Sequence, residues 1–298
     1  MKTKILILGG TGMLGHCLFR AYSERNELDV YATVRATEGV EKWFAPECMK
    51  RLQKGADANN FDTIVHAVSA VKPDVVINCI ALIKQSSITN DPLSAISINS
   101  LLPHRISLLC KAAGIRMIHI STDGVFDGKK GGYTEKDEVN ISDIYGMTKF
   151  LGEVSYPHCL TLRTSIIGHE LKKKTGLVEW LLSQKEKVRG YTKAIYSGLP
   201  TIELSEIISD YILPNDSLSG IHHVSSEPIS KYDLLKLIAD RYGKQIEIEP
   251  YDEPVIDRSL DSSIFCSLTG YNPPSWIELV NKMFLDYNKY MERKNVQS

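Results

Sequence analysis

The chain has 298 residues, with 35 Lys and Arg against 36 Asp and Glu, a formal net charge of -1. Hydrophobic residues make up 43% and charged residues 24%, a globular mix that excludes disorder and low complexity. The even charge leaves no basic footprint for nucleic acid and no polybasic patch for a membrane, and the length allows one large α/β domain or two packed lobes.

Lys4 to Leu8 reads as a buried strand, and its apolar stretch is too short for a signal peptide. It runs into Gly9-Gly-Thr-Gly12-Met-Leu-Gly15 and then an apolar helical stretch. A Gly-x-x-Gly-x-x-Gly turn between strand and helix is a dinucleotide fingerprint. Gly9 permits the tight turn, Gly12 lets backbone approach a pyrophosphate, and Gly15 lets the helix pack on the strand. Met13 and Leu14, between them, belong to the same expected cofactor site. The second strand, Val30 to Val34, is followed by Arg35 and not by the acid that binds a ribose 2′-hydroxyl. The planar fork of Arg35 suits a 2′-phosphate, which favours NADP and leaves NAD as the alternative.

Val75 to Ile80, Met117 to Ile120 and Cys159 to Arg163 read as further buried strands. Ile64–Val65–Val68–Val71 and Ile106–Leu109–Cys110–Ala113 carry helical periodicity between them. Buried strands alternating with helices indicate an α/β fold, a Rossmann-type doubly wound parallel sheet, whose strand order is not readable from the pattern. Later, Val178 to Leu182 and Ser205 to Ile212 read as helical, Gly220 to Val224 as a strand, and Ser230 as a helix start. Pro, Gly and Ser then break the chain often. The expected division is 1–165 for a cofactor-binding domain and 166–298 for a smaller C-terminal substrate-binding lobe, with about 192–226 returning to the first domain.

The six cysteines form no Cys-x-x-Cys pair and read as packed thiols, so a cytoplasmic location is expected. No run reaches the length of a membrane span. His169, His222 and His223 lack partners at ligand spacing, so no metal is assigned, and the His pair reads as structural.

Tyr145-Gly-Met-Thr-Lys149 places a phenol and an ammonium on one helix face. Such an ammonium is expected to lower the phenol's pKa and ready it for proton exchange. Ser121-Thr122-Asp123 follows a buried strand, where parallel sheets bind ligands. The Thr122 hydroxyl can then bond the same substrate oxygen that Tyr145 protonates.

With Lys72-Pro-Asp-Val-Val-Ile-Asn78, Ile98-Asn99, Ile120-Ser-Thr-Asp-Gly-Val-Phe-Asp-Gly128, Tyr133-Thr-Glu135, Gly152-Glu153 and Leu162-Arg-Thr-Ser165, the chain resembles the extended short-chain dehydrogenase/reductases. Within them it is most similar to the dTDP-4-dehydrorhamnose reductases, densely from residue 4 to about 168 and thinly afterwards. The resemblance implies Thr122, Tyr145 and Lys149 as the catalytic trio and a hydride delivered by NAD(P)H to C4 of a nucleotide-linked 4-keto sugar. It places Asp57 and Ala58 at adenine, and Ala81, Leu82 and Ile83 along the nicotinamide ribose. Asn99 orders that wall, Ser165 lies near the carboxamide, and Lys149 holds the ribose. Lys84, Gln85, Thr122, Asp123, Tyr145 and Arg189 are the expected substrate contacts. Arg163, Lys172, Lys173 and Lys174 are further candidates for the diphosphate, although the lysine run reads more readily as a solvated loop. Trp180, Tyr191 and Tyr196 are aromatics suited to stacking or to the core. The resemblance also allows a homodimer.

Two departures from the pattern stand out, and one is Cys79-Ile80-Ala81 after Asn78, where the family often has three small residues, so the wall's bulk changes. Gly124 replaces the Tyr that follows Ser-Thr-Asp in the reductases, so a sugar contact is lost or moved. Sugar 4,6-dehydratases carry a Glu there, so dehydration is disfavoured. A 4-epimerase remains an alternative. So does a non-catalytic NADP-binding regulatory subunit, as in methionine adenosyltransferase, because fold alone does not decide function.

Overall fold

A computed structural model describes residues 2–36, 38–83, 91–141, 143–172 and 175–297, with side chains through Glu292. The first half carries six strands: β1 (Thr3–Leu8), β2 (Leu28–Val34), β3 (Leu52–Lys54), β4 (Val75–Asn78), β5 (Arg116–Thr122) and β6 (Cys159–Thr164). The second half adds β7 (Ile166–Ile167), β8 (Val188–Tyr191), β9 (Ala194–Tyr196), β10 (Leu199–Pro200), β11 (Gly220–His223), β12 (Ile229–Ser230), β13 (Ile248–Tyr251) and β14 (Ile256–Asp257). The main sheet has seven strands in the order β11-β6-β5-β4-β1-β2-β3, all parallel. The expected doubly wound sheet is thus present, and its order reverses between β1 and β4. Ligands bind in such sheets at the carboxyl ends of strands flanking that reversal.

The helices are α1 (Met13–Ser23), α2 (Phe61–Val71), α3 (Pro92–Ala95), α4 (Leu102–Ala113), α5 (Ile144–Leu151), α6 (Leu177–Ser183), α7 (Thr201–Ile207), α8 (Lys231–Arg241), α9 (Ser263–Thr269) and α10 (Trp276–Gln297). A π-helical segment, Ile96–Leu101, joins α3 to α4, and another, Ile208–Ile212, extends α7. Strand alternation sorts the core. Ile5 and Ile7 face one cluster with Leu14, Leu18 and Phe19 of α1 and the helices of the second half. Leu6 and Leu8 face the other, with Ile64 and Val68 of α2 and Ile106 and Cys110 of α4. A strand buried on both faces must be apolar at every position, which is why these strands read as unbroken apolar runs.

Of the elements that differ from expectation, three are instructive. β3 pairs at the sheet edge with only Leu52 buried, so it leaves no apolar run to find. The Val75 strand ends at Asn78, because Asn78 Oδ1 accepts the Ile80 N–H at 3.1 Å and turns the chain. α10 was not anticipated, although its signal is present: Trp276, Leu279, Val280 and Met283 are buried at helical spacing, and Glu278 Oε2 accepts from Ser275 N at 2.8 Å. Ser230 does cap α8, its Oγ accepting from Asp233 N at 3.0 Å. None of the six cysteines, all of them among the described residues, is in a disulfide. Among the described residues, no helix is long and apolar enough to cross a membrane.

Candidate active site

The glycine loop crosses the carboxyl ends of β1 and β2. Gly9 sits at φ +88°, a left-handed conformation that glycine alone adopts without strain. Its N–H donates to Thr33 Oγ1 at 3.0 Å, and the Gly10 N–H to Thr33 O at 2.8 Å, which ties the loop to β2. A Cβ on Gly15 would overlap the Gly9 carbonyl, so the first turn of α1 packs directly on the loop. A Cβ on Gly12 would touch only that carbonyl, at 3.4 Å, leaving backbone open. Gly12 heads α1 without a side-chain cap, so the N–H groups of the first turn remain available to an anion. Leu14 is buried in the core, so only its backbone can serve a ligand, whereas Met13 is half-buried.

Arg35 is exposed directly after β2. The segment with Asp57 and Ala58 follows β3 at the same sheet edge, and the Ala56 N–H donates to Val34 O at 3.2 Å. Ala81, Leu82 and Ile83 follow β4. Asn99, fully buried, grips that wall twice: Oδ1 accepts the Leu82 N–H at 2.8 Å and Nδ2 donates to Leu82 O at 3.0 Å. A Cβ on Gly152 would overlap the Asn99 carbonyl, which sets how closely the end of α5 approaches the clamp. Ser165 follows β6, and its carbonyl accepts from Leu199 N at 2.8 Å.

Thr122, Tyr145 and Lys149 meet at the carboxyl end of β5. Thr122 Oγ1 accepts the Gly124 N–H at 3.0 Å and donates to Asp123 Oδ1 at 3.2 Å, and a Cβ on Gly124 would lie 3.2 Å from Thr122 Oγ1 and 3.5 Å from Tyr145 Cε1, so the two side chains flank that glycine. Asp143 caps α5, its Oδ1 accepting from Gly146 N at 2.8 Å, and so sets the turn that carries Tyr145. Lys149 is 2% exposed, and its Nζ donates to Ile120 O at 2.7 Å. Burial brings its ammonium down to about 8, against the raising effect of Glu153 and Cys79.

The phenol departs from expectation. Burial pushes Tyr145 up to about 12, against the lowering effect of Thr122 and with Asp123 and Asp143 adding to the rise. Sharing a helix face with Lys149 does not lower it, because desolvation is the larger effect and the ammonium is engaged with the Ile120 carbonyl. Tyr145 is a neutral phenol at neutral pH, the form that gives a proton.

The second half supplies a wall that sequence reasoning missed. In the three-stranded sheet β12-β9-β14, Ile195 pairs with both Ser230 and Asp257. Lys231 and Arg258 each follow one of these partners, so the register sets them beside β9, which ends in Tyr196. Arg258 Nε donates to Phe126 O at 2.8 Å, docking this sheet on the loop that holds Asp123. Asp123 feels both cations, yet burial dominates and raises its carboxyl to about 6. Lys231 is lowered, by burial first, with Asp123 opposing and Arg258 adding. The Tyr196 hydroxyl is buried with no hydrogen-bond partner among the described residues. Tyr196 is among the aromatics the sequence offers for stacking or the core, but no local spacing announces Lys231 or Arg258.

The remaining candidates have other settings. Arg163 forms a buried bidentate pair with Glu153, at 2.9 and 2.8 Å, and Ser121 Oγ donates to the same carboxylate, so it holds the end of β6 and has no free fork for a diphosphate. Arg189 is exposed with its guanidinium 4.5 Å over the Tyr251 ring, in the β8–β13 pair; the structure brings it to that ring and not to the trio. Lys84, Gln85, Lys173 and Lys174 lie outside the described residues. His223 is buried and donates to Tyr133 O at 2.9 Å, a structural part. Trp180 packs against the core.

A family model described as "RmlD substrate binding domain" matches residues 3–286. The chain belongs to that family. As an RmlD-family chain it is an extended short-chain dehydrogenase/reductase, in keeping with its motifs. It is 25% identical over 254 residues to a methionine adenosyltransferase 2 subunit beta of Danio rerio, covering 80% of this chain and 74% of that one. It is 26% identical over 260 residues to a dTDP-4-dehydrorhamnose reductase of Aggregatibacter actinomycetemcomitans, covering 83% and 81%. Among solved structures, a dTDP-4-dehydrorhamnose reductase of Bacillus anthracis in complex with NADP shares the fold, with a TM-score of 0.76 at 22% identity, covering 96% of this chain and all of the other.

Proposed function

We propose that this chain is an NADP-dependent reductase that reduces the C4 keto group of a nucleotide-linked 4-keto-6-deoxy sugar, for deoxysugar and surface polysaccharide synthesis. The carrying observation is the meeting of Thr122, Tyr145 and Lys149 at the end of β5, across β4 from the glycine loop. NADP fits the residues present, with NAD the alternative: the loop is too tight for a Cβ at Gly15, and α1 offers uncapped N–H groups to a pyrophosphate.

When bound, the cofactor supplies the hydride that reaches the C4 carbon. Gly9, Gly12, Gly15 and the first turn of α1 hold the pyrophosphate, Arg35 meets the 2′-phosphate, and Asp57 and Ala58 border adenine. Asn99 fixes the Ala81–Ile83 wall along the ribose, with Ser165 toward the carboxamide. The neutral Tyr145 phenol gives its proton to the C4 oxygen as that oxygen gains charge. Thr122 steadies the same oxygen through its hydroxyl. The Lys149 ammonium stabilises the phenolate left behind and contacts the cofactor ribose. Lys231, Arg258, Asp123 and Tyr196 face the sugar.

The reading also proposes a homodimer through α4 and α5, whose outer faces leave Leu108, Met147, Phe150 and Leu151 exposed. NADPH oxidation against 4-keto-6-deoxy sugars on dTDP, UDP and GDP, each made in place by its dehydratase, tests the reaction. Consumption with one of them is expected and names the nucleotide. Silence across the set with NADPH still bound overturns the reductase reading in favour of a regulatory subunit, which the likeness to methionine adenosyltransferase 2 subunit beta supports, or an epimerase.

A further inference from the structure

Away from the catalytic group, three cations gather past the end of β2. The Nζ atoms of Lys42 and Lys172 lie over the Trp43 ring, 4.8 and 4.6 Å from its centroid. The charges acting on Lys172 are Arg35 and Lys42, both of its own sign; with burial the largest cause, they hold its ammonium below the ordinary lysine range. Like charges drawn together around one aromatic ring cost free energy, which an anion placed among them recovers. A phosphate monoester, a dianion with three acceptor oxygens, suits a guanidinium fork and two ammonium groups.

Lys172 comes from the second half of the chain, in the loop between β7 and α6, and this loop is built onto the glycine loop. His16 of α1 donates through Nε2 to His169 O at 2.9 Å. Glu170 Oε2 accepts the N–H groups of Thr175 and Gly176, both at 2.8 Å, and closes the loop on itself. A Cβ on Gly176 would lie 3.0 Å from Met13 Cε, so the loop's end rests on the first turn of α1. The loop is therefore fixed against the turn expected to receive a pyrophosphate, with Lys172 directed toward the end of β2.

We propose that Lys172, with Lys42 over the same Trp43 ring and Arg35 at the end of β2, forms the site for the cofactor's 2′-phosphate, so that a loop of the second half sets the preference for NADP over NAD. This inference rests on the cofactor part of the proposed function and not on the sugar. The turn after β2 then supplies only part of the specificity, and cofactor binding draws the two halves of the chain together.

Binding of NADPH and NADH to the full-length protein, without sugar, tests it. Lys172→Ala is expected to weaken NADPH binding about tenfold and leave NADH binding within about twofold, because one charge-assisted contact to phosphate is lost. Lys172→Arg should restore most of the loss. Adding Lys42→Ala should weaken NADPH further, and 2′,5′-ADP should protect the wild type against thermal unfolding more than 5′-AMP does. Equal weakening of NADPH and NADH would mean that the loop is only structural. Unchanged NADPH binding would mean that Lys172 is a solvated surface charge. Either result overturns the proposal. Because no turnover is measured, failure of the sugar-reduction reading leaves this test intact.

Discussion

The two sides of the site are built in different ways. The cofactor side is made by backbone: seven consecutive residues, Gly9 to Gly15, set a positive φ, a close carbonyl contact and an open helix end. The substrate side is made by side chains that are distant in sequence, with Asp123 in the turn after β5 and Tyr196, Lys231 and Arg258 joined through the register of a small sheet. A site made of backbone tolerates little change where space is absent. A site made of side chains on short strands can alter its ligand without altering the fold.

Substitutions can separate the two sides, and the largest effect is expected at their meeting point. Tyr145→Phe should lower turnover by about a thousandfold while NADPH affinity stays within about twofold, measured by steady-state kinetics and direct binding. A parallel loss of binding would merge the two sides. Gly15→Val should destabilise the protein by several kcal/mol and abolish NADPH binding, because its side chain meets the Gly9 carbonyl; thermal melts and binding check it. On the other side, Lys231→Met should raise KM for the sugar about tenfold with NADPH binding unchanged. Equal effects on both ligands would place Lys231 outside the sugar site.

The smallest expected effect is in stability. Burial raises the folded pKa of Asp123 to about 6, above its ordinary value of 3.8. Between those values the folded state holds the extra proton, so this group's contribution is present below about pH 4 and is lost as pH rises through 6. Asp123→Asn should therefore gain on the wild type by about 1 kcal/mol as pH rises from 5 to 7, seen in denaturant unfolding. A constant difference across that range would show that Asp123 is not desolvated.

The same contrast explains what the sequence discloses. The glycine loop is legible because each glycine answers a local steric demand. Thr122 and Tyr145 are legible because a strand end and a helix periodicity place them. Tyr196 is named by the sequence only as an aromatic for stacking or the core, and Lys231 and Arg258 are not legible at all, since only the pairing of β9 with β12 and β14 makes the three neighbours. Spacing also misled on the phenol: Tyr145 and Lys149 share a helix face, yet burial, which spacing does not encode, outweighs charge and raises the pKa. The Lys172 loop was read as a solvated run for the same reason, because its neighbour Trp43 lies far away in sequence.

The most direct test of the account follows the hydride. The protein would be incubated with deuterated NADPH and the 4-keto-6-deoxy nucleotide sugar that supports NADPH oxidation, and the product examined by NMR. One deuterium at C4, transferred by the wild type and at a rate lowered about a thousandfold in Tyr145→Phe, is the predicted result. A sugar recovered without deuterium, while the cofactor remains bound, would contradict the claim that this site is a reductase.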